Sequence, residues 1–299
     1  LEIIPNTRRN EILAQLERGL EDISFSRPAH TVPHGIPVPG DSDQVMYVWC
    51  DALTSYISGI GYGLDEENFK KYWPVDVHVI GKDILRFHGA IWPAMLLSAG
   101  LPLPKKLLVH GLITSGGQKM SKSIGNVIDP YKLINEYGSE AVRYFIARKI
   151  SIFEDGDMTV GSFRDAYNGD LANGLGNLVS RILTMAENYK VSTVDTIDPV
   201  TLISNDKYLD NFNINEYMNH IWKLIQVADK KIQDEEPYKK YKTDQQAAVK
   251  IVTELCTHLY EIALWLKPVM PDTSRIIIES LYYPNNPKKP DVPLFPRKD

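Results

Sequence analysis

The stretch VHVIGKDILRFHGAIWPAMLLSAGLPLPKKLLVHG, residues 77–111, decides the fold. Val77–Ile80 is an apolar run with the length of a short buried strand, Lys82–Ala99 has the length of a helix, and Leu107–His110 is a second apolar run. Parallel strands need a crossover connection, which is usually a helix. The order strand, helix, strand therefore predicts a parallel α/β sheet.

The same order begins earlier in the chain. Val45–Trp49 predicts another buried strand, and Asp51 is expected to cap a helix that continues to Gly59. Sheets of this kind bind ligands beyond the carboxyl ends of their strands. Residues 49–51, 81–83 and 110–111 follow the three strands directly, so we expect a ligand site among them.

The flanks of this region differ in their predicted structure. Residues 10–20 have the apolar spacing of an amphipathic helix, and the proline-rich residues 27–42 predict an extended loop. Strand signals disappear after about residue 160. Long helical patterns cover 168–188, 213–234 and 242–266, so the second half is predicted to be an all-helical bundle.

The composition is that of a globular protein with two domains. The chain has 299 residues, a formal net charge of −5 and two cysteines, Cys50 and Cys256. This charge excludes a uniformly basic nucleic-acid-binding protein, and two distant cysteines exclude both a disulfide framework and a four-thiolate zinc site. The sequence predicts no membrane span and no signal peptide, and we expect a cytoplasmic protein, or a mitochondrial matrix protein in a eukaryote.

A basic loop follows the third strand. It has the sequence KMSKS, residues 119–123, with Gly116 and Gly117 before it. Lysines and hydroxyls beside glycines can hold phosphate oxygens, and a lysine charge would stabilise a leaving pyrophosphate. A solvated basic loop is the alternative interpretation for a single pair of lysines.

The KMSKS loop, followed by GNVIDP at 125–130, resembles the second signature of the class I aminoacyl-tRNA synthetases. Within that class, YVWCDA at 47–52 and GKDILRFH at 81–88 resemble the methionyl-tRNA synthetase family, and the resemblance covers essentially the whole chain. It implies ATP-dependent ligation of methionine to tRNA through a methionyl-adenylate. Lys119 and Lys122 would be the catalytic residues, and ATP would bind with Mg²⁺.

The resemblance also implies a domain organisation. Residues 1–123 would be the C-terminal half of the catalytic domain, with part of a Rossmann-type parallel sheet. Residues 124–160 would form a connecting segment similar to the family's stem-contact region, and residues 161–299 an all-α anticodon-binding domain.

By the same resemblance, eight residues would form a methionine pocket: Trp49, Ala52, Leu53, Tyr56, Ile84, Phe87, His88 and Trp92. The four-residue spacing of Ala52 and Tyr56, and of Ile84 and His88, puts each pair on one helix face. Aromatic walls suit a thioether. His88 would contact the sulfur or order a tyrosine hydroxyl. Alternatively, aromatic residues at this spacing are simply core.

The nucleotide site implied by the resemblance consists of Gly81, Asp83, His110 and Gly111, together with Lys119 and Lys122. Asp83 would bind the ribose hydroxyls, and Gly81 would allow the sugar to approach closely. Asp83 as a helix cap and His110 as an internally bonded loop histidine are the alternatives.

On the helical half, Asn177 and Arg181 match the residues that read the CAU anticodon in this family. Tyr238 stands where the family usually has a stacking tryptophan. The alternative for Asn177 and Arg181 is an exposed polar helix face. The lysines at 239, 240 and 242 would contact the tRNA backbone or form a solvated run.

The family's first phosphate signature, His-x-Gly-His, has no match in this chain. We therefore expect the C-terminal portion of a synthetase, inactive alone, with any zinc in the missing N-terminal part. Expected partners are methionine, ATP and tRNA(Met), without DNA or a membrane, and the oligomeric state stays open. The alternatives are a non-catalytic tRNA-binding protein and a synthetase for Leu, Ile, Val or Cys.

Overall fold

The computed structural model describes residues 1–192, 207–282 and 286–299. Contacts divide the chain into two compact units, Leu1–Leu112 and Ile113–Asp299. By this division the lysines of the KMSKS loop belong to the second unit. The domain boundaries predicted at residues 123 and 160 remain a proposal.

The first unit contains two three-stranded sheets and four α-helices. Its strands are β1 Glu2–Ile4, β2 Ser26–Pro28, β3 Pro37–Val38, β4 Asp41–Met46, β5 Val77–Gly81 and β6 Lys106–His110. Its helices are α1 Asn6–Glu17, α2 Val48–Ser58, α3 Glu66–Tyr72 and α4 Trp92–Ser98. A 3₁₀ turn, Lys82–Ile84, and a π-helical turn, Phe87–Ile91, precede α4.

The predicted parallel sheet is confirmed, with the order β1-β6-β5. In its register Gly81 lies opposite His110, so the carboxyl ends of β5 and β6 end side by side. The predicted helix after β5 is broken into a 3₁₀ turn, a π turn and an α-helix.

The prediction that Val45–Trp49 is a strand of the parallel sheet is wrong in the extent of the strand and in the sheet to which it belongs. Strand β4 ends at Met46 and lies in the antiparallel sheet β2-β4-β3, and α2 begins at Val48. Trp49, Leu53 and Ile57 are four residues apart and pack into one core cluster, so the helical period outweighs the short apolar run. Asp51 lies inside the first turn of α2 and does not cap it.

Two further predictions for the N-terminal region need correction. Helix α1 begins at Asn6 rather than Asn10, and its buried residue is Ile12, whereas Leu13, Leu16 and Leu20 are exposed. The loop predicted at 27–42 includes the short strand β3 and the adjoining ends of β2 and β4.

The second unit begins with a hairpin, β7 Ile113–Ser115 and β8 Gln118–Lys119, and β9 Gly156–Asp157 pairs with β7. Gly116 and Gly117 both have positive φ in the hairpin turn, which requires glycine-like freedom. Its helices are α5 Pro130–Tyr137, α6 Ser139–Lys149, α7 Val160–Ala166, α8 Asn177–Asn188, α9 Lys207–Asp210, α10 Ile214–Glu235, α11 Pro237–Lys240, α12 Gln245–Leu266 and α13 Pro271–Tyr282.

The predicted helical bundle is confirmed, and its three long helices lie within a few residues of their predicted positions. The beginning of the predicted helix 168–188 is π-helical, over the ten residues Tyr167–Gly176. One large core, which includes Leu171, Leu255 and Leu259, joins these helices. Within the described residues no helix has both the length and the apolar composition that a membrane crossing requires.

Candidate functional site

Five ring side chains of the first unit form an aromatic cluster: Trp49, Tyr56, Phe87, His88 and Trp92. Trp49, in the first turn of α2, stacks on Phe87 of the π turn with ring centroids 4.0 Å apart and planes 11° apart. The edge of His88 meets Trp49 at 6.1 Å. The π turn places Phe87 and His88 against α2.

Hydrogen bonds fix the protons of His88 and Tyr56. His88 Nδ1 lies 3.1 Å from the carbonyl oxygen of Ile84, so it carries a proton and donates it. In the neutral ring Nε2 is then an acceptor, and the Tyr56 hydroxyl, 3.0 Å away, donates to it. Burial lowers the pKa of His88, which favours this neutral form. Of the two predicted roles for His88, its contacts in this structure correspond to ordering a tyrosine hydroxyl.

A second histidine, absent from the predicted site, backs the cluster. His78 of β5 is buried and accepts a hydrogen bond of 3.3 Å from the indole N–H of Trp92. Its ring lies 4.5 Å from that of Tyr56. Burial, with the neighbouring His88, lowers the pKa of His78 to about 4. Strand alternation could have found it, because His78 and Ile80 share the buried face of β5 while Val79 is exposed.

The eight predicted pocket residues lie at different depths. Tyr56 is 38% exposed, whereas Leu53 and Trp92 are fully buried in the core cluster. Trp49, Ala52, Ile84 and Phe87 are partly buried. The burial of Leu53 and Trp92 agrees with the alternative interpretation, in which these residues belong to the core. They can act on a ligand only indirectly, by supporting the accessible side chains in front of them.

The predicted nucleotide residues of the first unit lie at the carboxyl ends of β5 and β6. A Cβ built on Gly81 would lie 2.8 Å from a carboxylate oxygen of Asp83, so a larger residue there would require the Asp83 side chain to shift. Asp83 is exposed, and no side-chain hydrogen bond caps the turn that contains it. His110 Nδ1 donates to the carbonyl oxygen of Gly111 at 2.7 Å, which leaves Nε2 as its second polar atom.

In the second unit, Asn126 fixes the backbone of the KMSKS loop. Its side-chain oxygen accepts from Ser121 N at 2.8 Å, and its amide group donates to the carbonyl oxygen of Lys119 at 3.2 Å. The Ser121 and Ser123 hydroxyls are 2.7 Å apart. Both Lys119 and Lys122 are exposed. The loop therefore has a defined backbone and presents two cations at its surface.

The predicted anticodon residues lie on α8 and α11. Asn177 is exposed at the start of α8, and one turn later Arg181 forms an ion pair with Asp229 of α10. The second oxygen of Asp229 accepts from Gln233. Sequence reasoning missed Asp229, because its partner lies 48 residues away on another helix.

The tyrosine and lysines near α11 form their own contacts. Tyr238 is exposed, and its hydroxyl donates to Glu236. Lys239 pairs with Glu236 and Lys240 with Glu235. These two lysines are therefore locally neutralised. Among the described residues no group of three or more His, Cys, Asp or Glu could hold a metal ion.

Comparisons with known proteins agree with this architecture. The family model described as "tRNA synthetases class I (M)" matches residues 2–183. The methionine–tRNA ligase of Thermotoga maritima is 40% identical over 95% of this chain, and that of Caldanaerobacter subterraneus is 41% identical over 93%. The chain covers 47% and 46% of these two relatives, so it spans about half their length.

A solved structure, Mycobacterium tuberculosis methionyl-tRNA synthetase in complex with methionyl-adenylate, matches with a TM-score of 0.85 at 34% identity. The match covers 99% of this chain and 64% of that one. A family model that extends over more than half of the chain and a structural match over nearly all of it lead to one assignment. The chain belongs to the class I tRNA synthetases of the methionyl type.

Proposed function

We propose that the protein ligates methionine to tRNA(Met) with ATP, through a methionyl-adenylate. The observation that carries the proposal is the aromatic cluster, in which Trp49, Phe87 and Tyr56 form a partly exposed surface over a fully buried layer. Rings at van der Waals distance favour a polarizable thioether. Expected substrates are therefore methionine, ATP and the tRNA, and cytoplasm is the expected compartment because translation consumes the product.

Adenylation needs the methionine carboxylate and the ATP α-phosphate held in line. Gly81 allows the ribose to approach the end of β5, Asp83 accepts hydrogen bonds from its hydroxyls, and His110 with Gly111 lies against the adenine. The carboxylate attacks the α-phosphorus, the bond to the bridging oxygen breaks, and pyrophosphate leaves with that electron pair. Positioning and electrostatic stabilisation of the leaving group supply the rate enhancement.

Lys119 and Lys122 are proposed to stabilise the pyrophosphate as it leaves. Their exposure and the bonds of Asn126 to the loop backbone support this role. Mg²⁺ bound with ATP would neutralise the phosphates further, and the described residues offer it no carboxylate cluster of their own. The prediction that any zinc lies outside this chain stays a prediction.

In the second step a hydroxyl of the terminal adenosine of the tRNA attacks the carbonyl carbon of the adenylate, and AMP leaves. Asn177, Arg181 and Tyr238 are proposed to read the anticodon by hydrogen bonds and stacking. The exposure of Asn177 and Tyr238 supports this role.

The test is methionine-dependent exchange between ATP and labelled pyrophosphate, measured on the protein as its genome encodes it. Lys119→Ala and Lys122→Ala should each lower kcat by about 100-fold or more while KM for methionine changes little, because the lysines act on charge that develops in the transition state. Lys132→Ala, at an exposed position of α5, is the matched control and should stay within about twofold of wild type.

Three outcomes would change the proposal. Binding of tRNA without any exchange supports the alternative of a non-catalytic tRNA-binding protein. Exchange with Leu, Ile, Val or Cys instead of methionine contradicts the proposed substrate. Robust exchange by residues 1–299 alone would contradict the prediction that this chain is inactive by itself.

A further inference from the structure

The aromatic cluster has two layers. Tyr56, Trp49 and Phe87 are at least partly accessible, whereas His88 and Trp92 are buried behind them. His78 lies in the buried layer and contacts both layers: its ring packs against Tyr56, and its Nε2 accepts from Trp92. His78 therefore packs behind the accessible Tyr56 and forms a hydrogen bond with the buried Trp92.

The Trp92 bond fixes the proton of His78. An indole N–H is only a donor, so Nε2 of His78 must carry a lone pair, and the neutral ring has its proton on Nδ1. Trp92 is 1% exposed and has no route to solvent for this N–H. Without His78 the donor would be buried and unpaired, which a folded protein avoids by moving the ring.

Two further rings beside His78, those of Trp73 and His88, are held by other partners. Trp73 lies 6.2 Å from His78, and its indole N–H donates to the carbonyl oxygen of Pro102 at 2.9 Å. His88 is likewise held by the Ile84 carbonyl. Trp92, in contrast, donates its indole hydrogen bond to His78 itself. Tyr56 packs against His78 at 4.5 Å, closer than its ring contacts with His88 and Trp92.

We propose that His78 is a positioning residue that fixes Trp92 and Tyr56 in the geometry that binds the methionine side chain. This inference rests on the proposed function. His78 itself does not touch the substrate. Its effect is transmitted through two wall residues, so a change at His78 should weaken methionine binding and leave the nucleotide residues at the ends of β5 and β6 unaffected.

Three substitutions of His78 distinguish the effect of its hydrogen-bond acceptor from the effect of its side-chain volume. His78→Gln places a carbonyl oxygen near the position of Nε2 and retains the acceptor, whereas the side chain of His78→Asn is one methylene shorter and does not reach it. His78→Leu removes the acceptor entirely. Phe69→Leu is the control, because Phe69 packs in the same core cluster beside Trp73 but is not part of the aromatic cluster.

The experiment measures KM for methionine, KM for ATP and kcat in the exchange reaction of the genome-encoded protein. We expect His78→Leu and His78→Asn to raise KM for methionine about tenfold, with KM for ATP and kcat within about twofold. His78→Gln should return KM for methionine to within about threefold of wild type. Phe69→Leu should lower stability without changing KM.

A second readout does not depend on activity. The indole N–H resonance of Trp92, assigned with Trp92→Phe, should be protected from hydrogen exchange in wild type and in His78→Gln and should lose protection in His78→Asn. Parallel changes in KM for methionine, KM for ATP and kcat, or an unchanged Trp92 resonance, would overturn the inference. A wild-type protein without methionine-dependent exchange overturns the proposed function and the inference together, whereas an active wild type with unaffected His78 variants overturns the inference alone.

Discussion

At the scale of single residues, the position of one proton decides what the aromatic cluster offers a ligand. Both ring nitrogens of His88 are engaged, one by Ile84 and one by Tyr56. The Tyr56 hydroxyl gives its proton to His88 and presents only lone pairs to its other side. A thioether is itself an acceptor, so in this state it would contact the rings rather than receive a hydrogen bond from Tyr56.

The two buried histidines should make stability depend on pH. The pKa of His78 falls from 6.5 to about 4 on folding, and that of His88 falls as well. Between pH 6.5 and about 4 these histidines bind protons in the unfolded chain but not in the folded protein. Their contribution to the free energy of unfolding is therefore fully present above pH 6.5 and is lost as the pH falls toward 4. For His78 alone, the free energy of unfolding should be about 2 kcal/mol lower at pH 5 than at pH 7.5.

Urea denaturation at the two pH values measures this difference. His78→Gln retains an acceptor for Trp92 and cannot titrate, so its pH dependence should be shallower than that of wild type. An equal dependence in both proteins would mean that His78 titrates normally in the folded state.

The ion pair between Arg181 and Asp229 should control anticodon discrimination. The carboxylate holds the guanidinium through one nitrogen, which leaves other N–H groups for base edges. In Asp229→Ala the arginine is a mobile, unneutralised cation. We expect preference for CAU over an altered anticodon to fall, and the salt dependence of tRNA binding to become steeper.

Dissociation constants for the two tRNAs at two salt concentrations measure both effects. Asp234→Ala, at an exposed position of the same helix, removes a charge without removing a partner of Arg181 and is the control. If Asp229→Ala and Asp234→Ala behave alike, the effect is one of net charge and not of positioning.

The sequence implied those site residues that belong to a motif shared with the family. The resemblance to the family implied Tyr56 and His88, their helical spacing from Ala52 and Ile84 agreed with it, and the structure brings the two side chains into contact. His78 and Asp229 act through partners on other elements, which no local pattern encodes. The motifs of single segments therefore implied the lining of the candidate site but not the residues that support it from other elements.

At the scale of elements, Asn215 joins the end of α6 to the start of α10. Its amide donates to the carbonyl oxygens of Ala147 at 3.1 Å and Ile150 at 2.7 Å, and its side-chain oxygen accepts from Ile152 N at 3.3 Å. The last carbonyls of a helix have no partner within it. A single side chain thus forms hydrogen bonds both at the C-terminus of α6 and in the backbone that follows.

Substitution of Asn215 should therefore destabilise the second unit. Asn215→Ala leaves these groups without their partner and should lower the free energy of unfolding by about 2 kcal/mol. Asn215→Asp should cost more, because a carboxylate would face carbonyl oxygens at the negative end of a helix. In urea denaturation the free energy of unfolding should decrease in the order wild type, Asn215→Ala, Asn215→Asp. Asn211→Ala, at an exposed position, is the control and should change this free energy little. A greater stability of Asp than of Ala would contradict this account.

Helices and strands were predictable where apolar residues recur with one period over a long segment. Helices α10 and α12 have amphipathic patterns and were found within a few residues, and the helix predicted at 168–188 covers a π-helical segment followed by α8. Of the predicted strand 45–49, residues 45–46 do lie in a strand, whereas Val48 and Trp49 begin α2, because Trp49 packs with Leu53 and Ile57 at the helical spacing. The π turns at 87–91 and 167–176 leave no such signal, because they change hydrogen bonding without changing composition.

At the scale of the whole molecule, each unit has its own core, and the C-terminal segment completes the second. Phe295 packs on Gly176 and Tyr167 of the π-helical segment. The Tyr167 hydroxyl donates to the carbonyl oxygen of Pro296 at 3.0 Å. Asn168 exchanges two hydrogen bonds with the backbone of Lys298, at 2.6 and 2.9 Å. The segment is thus anchored by one ring and four hydrogen bonds, the fourth from Arg164 to the carbonyl oxygen of Asp299 at 3.5 Å.

Removal of the ring should release this segment. Phe295 is 9% exposed and belongs to the core of the second unit, so Phe295→Ala should lower the free energy of unfolding by about 3 kcal/mol and expose the segment to proteases. Val292→Ala, at a position 68% exposed on the same segment, should change neither property and is the matched control. Urea denaturation and limited proteolysis with mass analysis of the C-terminus measure the two effects. If Phe295→Ala is as stable and as resistant to cleavage as Val292→Ala, the remaining contacts are enough to hold the segment, and the ring contact with Tyr167 contributes nothing to the second core.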